Sequence, residues 1–361
     1  MQPASTTHKP SAHTYISSFD TIRAAAVIMV LLLHGSFGLF KGGWIGVDLF
    51  FVLSGFLITS ILYREFTDTH TISIVHFYKR RLLRLLPALI LTIILANLLW
   101  KISEPYFYDS YDQKLANLAA IFYFTNCIPG HLSGNMAHLW SLAVEEHFYF
   151  FWPLLSLLLI FRLKAIYKII FILSLIILVG FFRFYAYHHP LYLHAPLFII
   201  DSNHFTLCRI DGILSGALLF LLLAETRLKN WTISIRASYI GIFLLAVIFT
   251  IILFTLHEDN GYYRNGGFVL TNILCVFTIW IACKNASLPL LNNNVMKWIG
   301  VRSYGIYLYH LPIFTVLNYL NVPHNKLNFV AVFGLKIGVS FLLAYVSFKF
   351  IEKPLLKLKY K

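Results

Sequence analysis

Apolar residues dominate this chain in runs of about 20 positions, separated by short polar stretches. Folded as a helix, each run is long enough to cross a hydrocarbon core roughly 30 Å thick. About ten can be read: residues 21–40, 44–63, 82–100, 138–160, 165–187, 205–224, 235–256, 266–283, 298–320 and 327–350. A shorter run, 115–127, predicts an interfacial or re-entrant piece. The expected fold is an all-α integral membrane protein of about ten transmembrane helices.

The polar stretches set the organisation. Residues 1–19, rich in Ser, Thr and His, predict a flexible tail, followed by a transmembrane domain over 20–354 and a short basic tail over 355–361. The loop 64–81 is basic. The longest polar loop, 101–137, carries Tyr106, Tyr108 and Tyr111 with Asp109 and Asp112, and a second, 183–204, carries His188, His189, His194 and Asp201. No short-period repeat or inverted duplication is visible, which weakens the resemblance to many carriers.

Composition removes the soluble alternative. Of 361 residues 59% are hydrophobic and 12% charged, whereas a soluble domain has roughly 25% charged residues. With the N-terminus in the cytoplasm, most of the 29 Lys and Arg fall on the cytoplasmic side, which favours an N-in, C-in arrangement. The net charge of +14 is accounted for by anionic headgroups, with no nucleic acid needed. Cys127, Cys208, Cys275 and Cys283 show neither metal-ligand spacing nor a disulfide framework. The first apolar run lacks a small-residue cleavage site and leads straight into a second, so it reads as a span rather than a signal peptide.

Ionisable groups inside such runs are candidates for function, because each costs about 2.5–3.5 kcal/mol to insert. His34 lies deep in the first run and reads either as a general base near neutral pH or as a structural hydrogen-bonding histidine. Asp48 begins the second run, after a short connection from the first. It reads either as the carboxylate that orients an imidazole or as a helix-start acid. Arg81 and Arg84 share one helix face and suit a phosphate or a positive-inside anchor equally. Glu145 and Glu146 enter the fourth run, Arg209 and Asp211 suggest a local ion pair, and Ser303, Tyr304, Tyr307, Tyr309 and His310 fall in the ninth. Lys336 lies within the last. Tyr106, Tyr108, Tyr192, Tyr262 and Tyr263 read as sugar-stacking groups or as an interfacial belt.

Several strings follow one another along the chain: Phe19-Asp20-Thr21-Ile22-Arg23-Ala24 followed by His34; Gly46-Val47-Asp48-Leu49-Phe50-Phe51-Val52-Leu53-Ser54-Gly55-Phe56; and Arg81-x-x-Arg84 with Pro87. After them come Trp140-Ser141-Leu142-x-Val144-Glu145-x-x-Phe148-Tyr149, Ser303-Tyr304-Gly305-x-Tyr307-Leu308-Tyr309-His310, and Phe350-Ile351-Glu352-Lys353-Pro354. Together they resemble the membrane-bound acyltransferase 3 family of O-antigen and exopolysaccharide O-acetyltransferases. The first string departs from the usual Asp-Gly-Leu-Arg form but keeps Asp20 and Arg23.

The resemblance implies ten helices in the bacterial cytoplasmic (inner) membrane, as a stand-alone form without a periplasmic esterase-like domain. It implies an acyl-CoA donor, acetyl-CoA foremost, and no metal. The acceptor would be a hydroxyl of an envelope glycan such as lipopolysaccharide O-antigen, with peptidoglycan or a small metabolite as alternatives. It links His34 and Glu145 to catalysis and Arg81 and Arg84 to the donor, with Asp20, Arg23 and Asp48 as further polar positions. The expected mechanism has His34 as base, steadied by Glu145 or Asp48, with Ser303, Tyr307 and His310 as supporting polar groups. A covalent acyl-histidine route stays open. The reading from another class is a proton-coupled transporter or flippase of a lipid-linked glycan or small solute; the strings say nothing of oligomeric state.

Overall fold

The computed structural model describes residues 16–36, 38–107, 112–189, 191–192, 199–257, 261, 263–320 and 326–357. Tyr108, Asp109, Tyr111, His194 and Tyr262 lie outside them, as do the side chains of Tyr106, Tyr192 and Tyr263 and most of both tails. Every expected run contains a helix. They are α1 (Ser18–Gly35), α2 (Ile45–Thr69), α3 (Ile74–Phe107), α5 (Trp140–Leu158), α6 (Ala165–His188), α7 (Asp211–Glu225), α8 (Ile235–Thr255), α9 (Phe268–Lys284), α10 (Asn294–Tyr319) and α11 (Lys326–Ser347), with α4 (Gln113–Ile121) between α3 and α5.

Eight helical segments are long and apolar enough to span a membrane among the described residues. The exceptions are α7, with 15 residues, and α10, which is long enough but too polar. Both sit inside the bundle, where an apolar surface is not required. The 115–127 run becomes α4 and a sharp turn. Asn97 on α3 bonds Asn117 at 3.0 Å, and Tyr123 takes a left-handed φ of 57° as the chain reverses. Short turns over Thr125–Cys127, Gly130–Ser133 and Gly134–Leu139 then lead into α5. The only pairing of extended strands among the described residues is Leu191–Tyr192 with Ile199–Ile200, antiparallel.

The bundle has a buried centre and an outward-facing periphery. The apolar window of α2 is 78% buried, that of α6 only 17%, because α6 exposes Ile166, Ile170, Ile177, Phe181 and Phe184. Glycines bring the central helices together. A Cβ on Gly216 of α7 would lie 1.8 Å from the Val52 carbonyl oxygen of α2, and one on Gly300 of α10 would lie 1.9 Å from that of Asp20 on α1. Close backbone approach through small residues is how helices associate where lipid removes the hydrophobic drive between them. These two contacts fix α1, α2, α7 and α10, which carry most of the polar groups described next.

Candidate functional site

His34 occupies the last turn of α1, partly buried, and its Nδ1 lies 3.1 Å from the Val30 carbonyl oxygen and 3.2 Å from Nε2 of His310. The two imidazole rings are 5.0 Å apart. His310 is fully buried in α10, and its own Nδ1 bonds the Tyr307 carbonyl oxygen. A third imidazole, His138, arrives from the short turn before α5. Its ring lies 5.0 Å from that of His310, with Nε2 donating to the Leu308 carbonyl at 3.1 Å. Tyr307 closes the group: its hydroxyl meets Ser141 Oγ at 2.6 Å and donates to the His138 carbonyl at 2.7 Å. Ser303, one helical turn before Tyr307, is buried and makes no side-chain hydrogen bond among the described residues.

The carboxylates expected beside His34 lie elsewhere. Its ring makes no hydrogen bond to Asp48 or Glu145 among the described residues. Asp48 instead forms a buried ion pair with Arg209, whose guanidinium also lies 3.9 Å from the Phe268 ring centre. Asp211 pairs with Arg183 at 2.9 Å and accepts from Asn272 Nδ2 at 3.0 Å. The local Arg209–Asp211 pair expected from spacing is therefore corrected: residues two apart on a helix do not face each other. Desolvation drives each acid to a guanidinium, since a buried charge without a partner is costly.

Glu145 stands in a separate cluster. Ser54 of α2 donates to its Oε1 at 2.7 Å, and the Tyr149 hydroxyl donates to Ser54 Oγ at 2.6 Å. Arg81 lies face-on to the Tyr149 ring at 3.1 Å and bonds Glu146 at 3.2 Å, so the neighbouring acid takes the guanidinium. Tyr307 is within electrostatic reach of Glu145, which joins this cluster to the histidines. Just outside the spans, Tyr123 lies within electrostatic reach of Glu146, and its hydroxyl is pushed well up, by burial first and then by that carboxylate.

The polar groups continue to the opposite end of the bundle. Arg84 is exposed and makes no hydrogen bond or ion pair among the described residues, although Arg23, Arg81, Tyr149 and Tyr304 are within electrostatic reach. Arg23 is paired with buried Asp20 at 2.6 Å. The Tyr304 hydroxyl donates to the Leu85 carbonyl at 3.0 Å, tying α10 to α3 beside Arg84. Glu352, buried in a π-turn after α11, accepts from Ser347 at 2.8 Å and lies within electrostatic reach of Arg84 and Arg302.

Guanidinium groups held together, one of them uncommitted, suit a phosphate-bearing ligand. A polar seam leads from them past Arg81, Glu145 and Tyr307 to His34. No group of three His, Cys, Asp or Glu side chains among the described residues is arranged to hold a metal ion.

Sequence reasoning singled out His34, Tyr307, His310 and the arginines but missed His138 and Ser54. His138 lies in a turn with no helical periodicity, and Ser54 is one polar residue in an apolar span. Ser54 stood out only as one position of the longer string from Gly46 to Phe56.

Residues 16–348 match the family described as an acyltransferase domain. The chain is similar to O-acetyltransferase OatA of Staphylococcus aureus strain NCTC 8325, with 34% identity over 96% of the chain and 58% of that protein. A provisionally named O-acetyltransferase from strain COL is 32% identical over 95% of the chain and 58% of its own length. The chain thus spans less than two thirds of the curated relatives it matches. No solved structure matches it.

Proposed function

The chain belongs to the acyltransferase family, whose members transfer acyl groups, and from that premise we propose that it is a membrane O-acetyltransferase. In this reading the donor is cytoplasmic acetyl-CoA and the acceptor is a hydroxyl of a cell-envelope glycan. Lipopolysaccharide O-antigen is the first acceptor to test and peptidoglycan the second. The N-in, C-in arrangement puts Arg84 at the cytoplasmic end and His34 toward the outer end, in the bacterial inner membrane.

The observation that carries the reading is the polar seam between an uncommitted arginine and a partly buried histidine. Arg84, with Arg81 and Arg23 nearby, would receive the donor's phosphates. The thin thioester arm would then enter between the helices, where exclusion of water limits hydrolysis.

His34 acts as general base. It takes the proton of the acceptor hydroxyl as that oxygen attacks the thioester carbonyl; the C–S bond breaks, and the thiolate leaves with a proton returned from the imidazole. Positioned base catalysis of this kind contributes roughly 10²–10⁴-fold.

The test is purified protein in detergent with radiolabelled acetyl-CoA and separate lipopolysaccharide and peptidoglycan fractions, comparing wild type with His34→Ala. Label transferred by wild type alone supports the reading and names the acceptor fraction. Equal transfer by both proteins would remove His34 from the mechanism. No transfer by either, with no thermal stabilisation by coenzyme A, would favour a proton-coupled carrier.

A further inference from the structure

We infer that His310 is the positioning partner of His34, standing where a carboxylate stands in a hydrolase triad, and that the two imidazoles share the proton abstracted from the acceptor. This rests on the acyl-transfer reading above.

The argument begins with which nitrogens carry hydrogen. A carbonyl oxygen only accepts, so a ring nitrogen bonded to one must be the donor. Nδ1 of His310 faces the Tyr307 carbonyl and is therefore protonated. A neutral imidazole then has its lone pair on Nε2, and that atom faces Nδ1 of His34 at 3.2 Å. Nδ1 of His34 also faces the Val30 carbonyl at 3.1 Å, so it too carries hydrogen and divides it between two acceptors. Two backbone carbonyls thus fix both tautomers. The lone pair of neutral His34 is left on Nε2, which has no partner among the described residues.

The chemistry follows with atoms balanced. The acceptor O–H breaks and an N–H forms at His34 Nε2, making an imidazolium. Its Nδ1–H then points at the His310 lone pair. Transfer across that bond leaves His34 neutral and His310 charged, with Nδ1–H of His310 still on the Tyr307 carbonyl. Reversal returns the proton to His34 for the departing thiolate. In a triad the third residue fixes the tautomer and stabilises the imidazolium. His310 supplies both without bringing a bare carboxylate into the bundle, and Asp48 and Glu145 are committed to Arg209 and Ser54.

The groups around His310 suit this role. Tyr307 and Phe314 face it from its own helix, His34 from α1 and His138 from the turn before α5. From α11, the Lys336 ammonium lies 5.6 Å from the centre of the Phe314 ring and donates to the Gly35 carbonyl oxygen at 3.4 Å. The hydrogen bonds of the His310 ring among the described residues go to His34 and the Tyr307 carbonyl.

The test compares wild type, His310→Gln and His310→Phe, measuring kcat, KM for acetyl-CoA, melting temperature in detergent and the rate in mixtures of H₂O and D₂O. A Gln side-chain oxygen can accept from His34 but cannot take the proton. Expected for His310→Gln are a kcat about 10- to 100-fold lower, a KM for acetyl-CoA within about twofold of wild type, and near-wild-type melting. The dependence of rate on deuterium fraction should be bowed in wild type, where two protons move, and linear in His310→Gln. His310→Phe should lose more kcat than His310→Gln; if it fails to accumulate, the Gln variant decides alone. Wild-type kcat and a bowed dependence in His310→Gln would overturn the inference, provided wild type transfers label and His34→Ala does not. If wild type itself transfers none, the acyl-transfer reading fails first.

Discussion

Ser54 on α2 donates its hydroxyl hydrogen to Oε1 of Glu145 on α5 at 2.7 Å, across 91 residues of sequence. That bond places Glu145 in the Arg81–Tyr149 cluster. A carboxylate there would act on the electrostatics of the proposed donor site more directly than on His34.

Glu145→Gln should therefore lower the KM for acetyl-CoA, since one fewer carboxylate opposes the donor's phosphates beside Arg81, while lowering kcat less than His34→Ala does. Steady-state kinetics on purified protein separate the two. A kcat loss as large as that of His34→Ala, with KM unchanged, would return Glu145 to the chemical step.

Arg84 has no hydrogen-bonding or ion-pair partner among the described residues, so its removal costs the apoprotein little. A hydrogen bond to a charged group contributes roughly 1.5–3 kcal/mol. Arg84→Ala should weaken acetyl-CoA binding about 10- to 100-fold and abolish thermal stabilisation by coenzyme A, with the melting temperature of the free protein unchanged. Arg84→Lys should recover part of the affinity, since the charge remains but the planar fork does not. Unaltered donor binding in Arg84→Ala would move the phosphate site elsewhere.

Asp48 and Arg209 are 2% and 4% exposed, so the loss of one leaves the other charged in the bundle. Asp48→Ala should destabilise by about 3–5 kcal/mol, read as lower melting and reduced yield in detergent. Combining it with Arg209→Met should restore much of that loss, because an apolar pair carries no unpaired charge. A fully stable Asp48→Ala protein with lost activity would instead give Asp48 a catalytic role.

How much of this was legible depends on how far apart the interacting residues lie. A helix within each apolar run followed from the runs themselves, since hydrocarbon thickness imposes length locally, and eight segments among the described residues are long and apolar enough to span. Arg81 and Arg84 were visible because their spacing puts them on one face. Asp48 did not reveal Arg209, which is 161 positions away, and nothing local distinguishes a carboxylate that orients a histidine from one that neutralises an arginine. His138 was hidden for a different reason: it sits in a turn whose shape is set by packing against α10, through the Leu308 carbonyl.

The glycine contacts give a prediction that separates stability from activity. A methyl on Gly216 meets the backbone of α2 at Val52 and Phe56. Backbone cannot rotate aside, so α7 must move outward and strain the Asp48–Arg209 pair at its head. Gly216→Ala should cost at least about 1–3 kcal/mol, the usual range for overpacking. Gly300 meets the Asp20 backbone instead, so Gly300→Ala forces α1 and α10 apart. Those two helices carry His34 and His310, whose hydrogen bond at 3.2 Å has little length to spare. Gly300→Ala should thus lose more kcat than Gly216→Ala at equal loss of melting temperature. Measuring both quantities for both variants checks this, and equal kcat losses at matched stability would mean that the α1–α10 spacing does not govern the histidine pair.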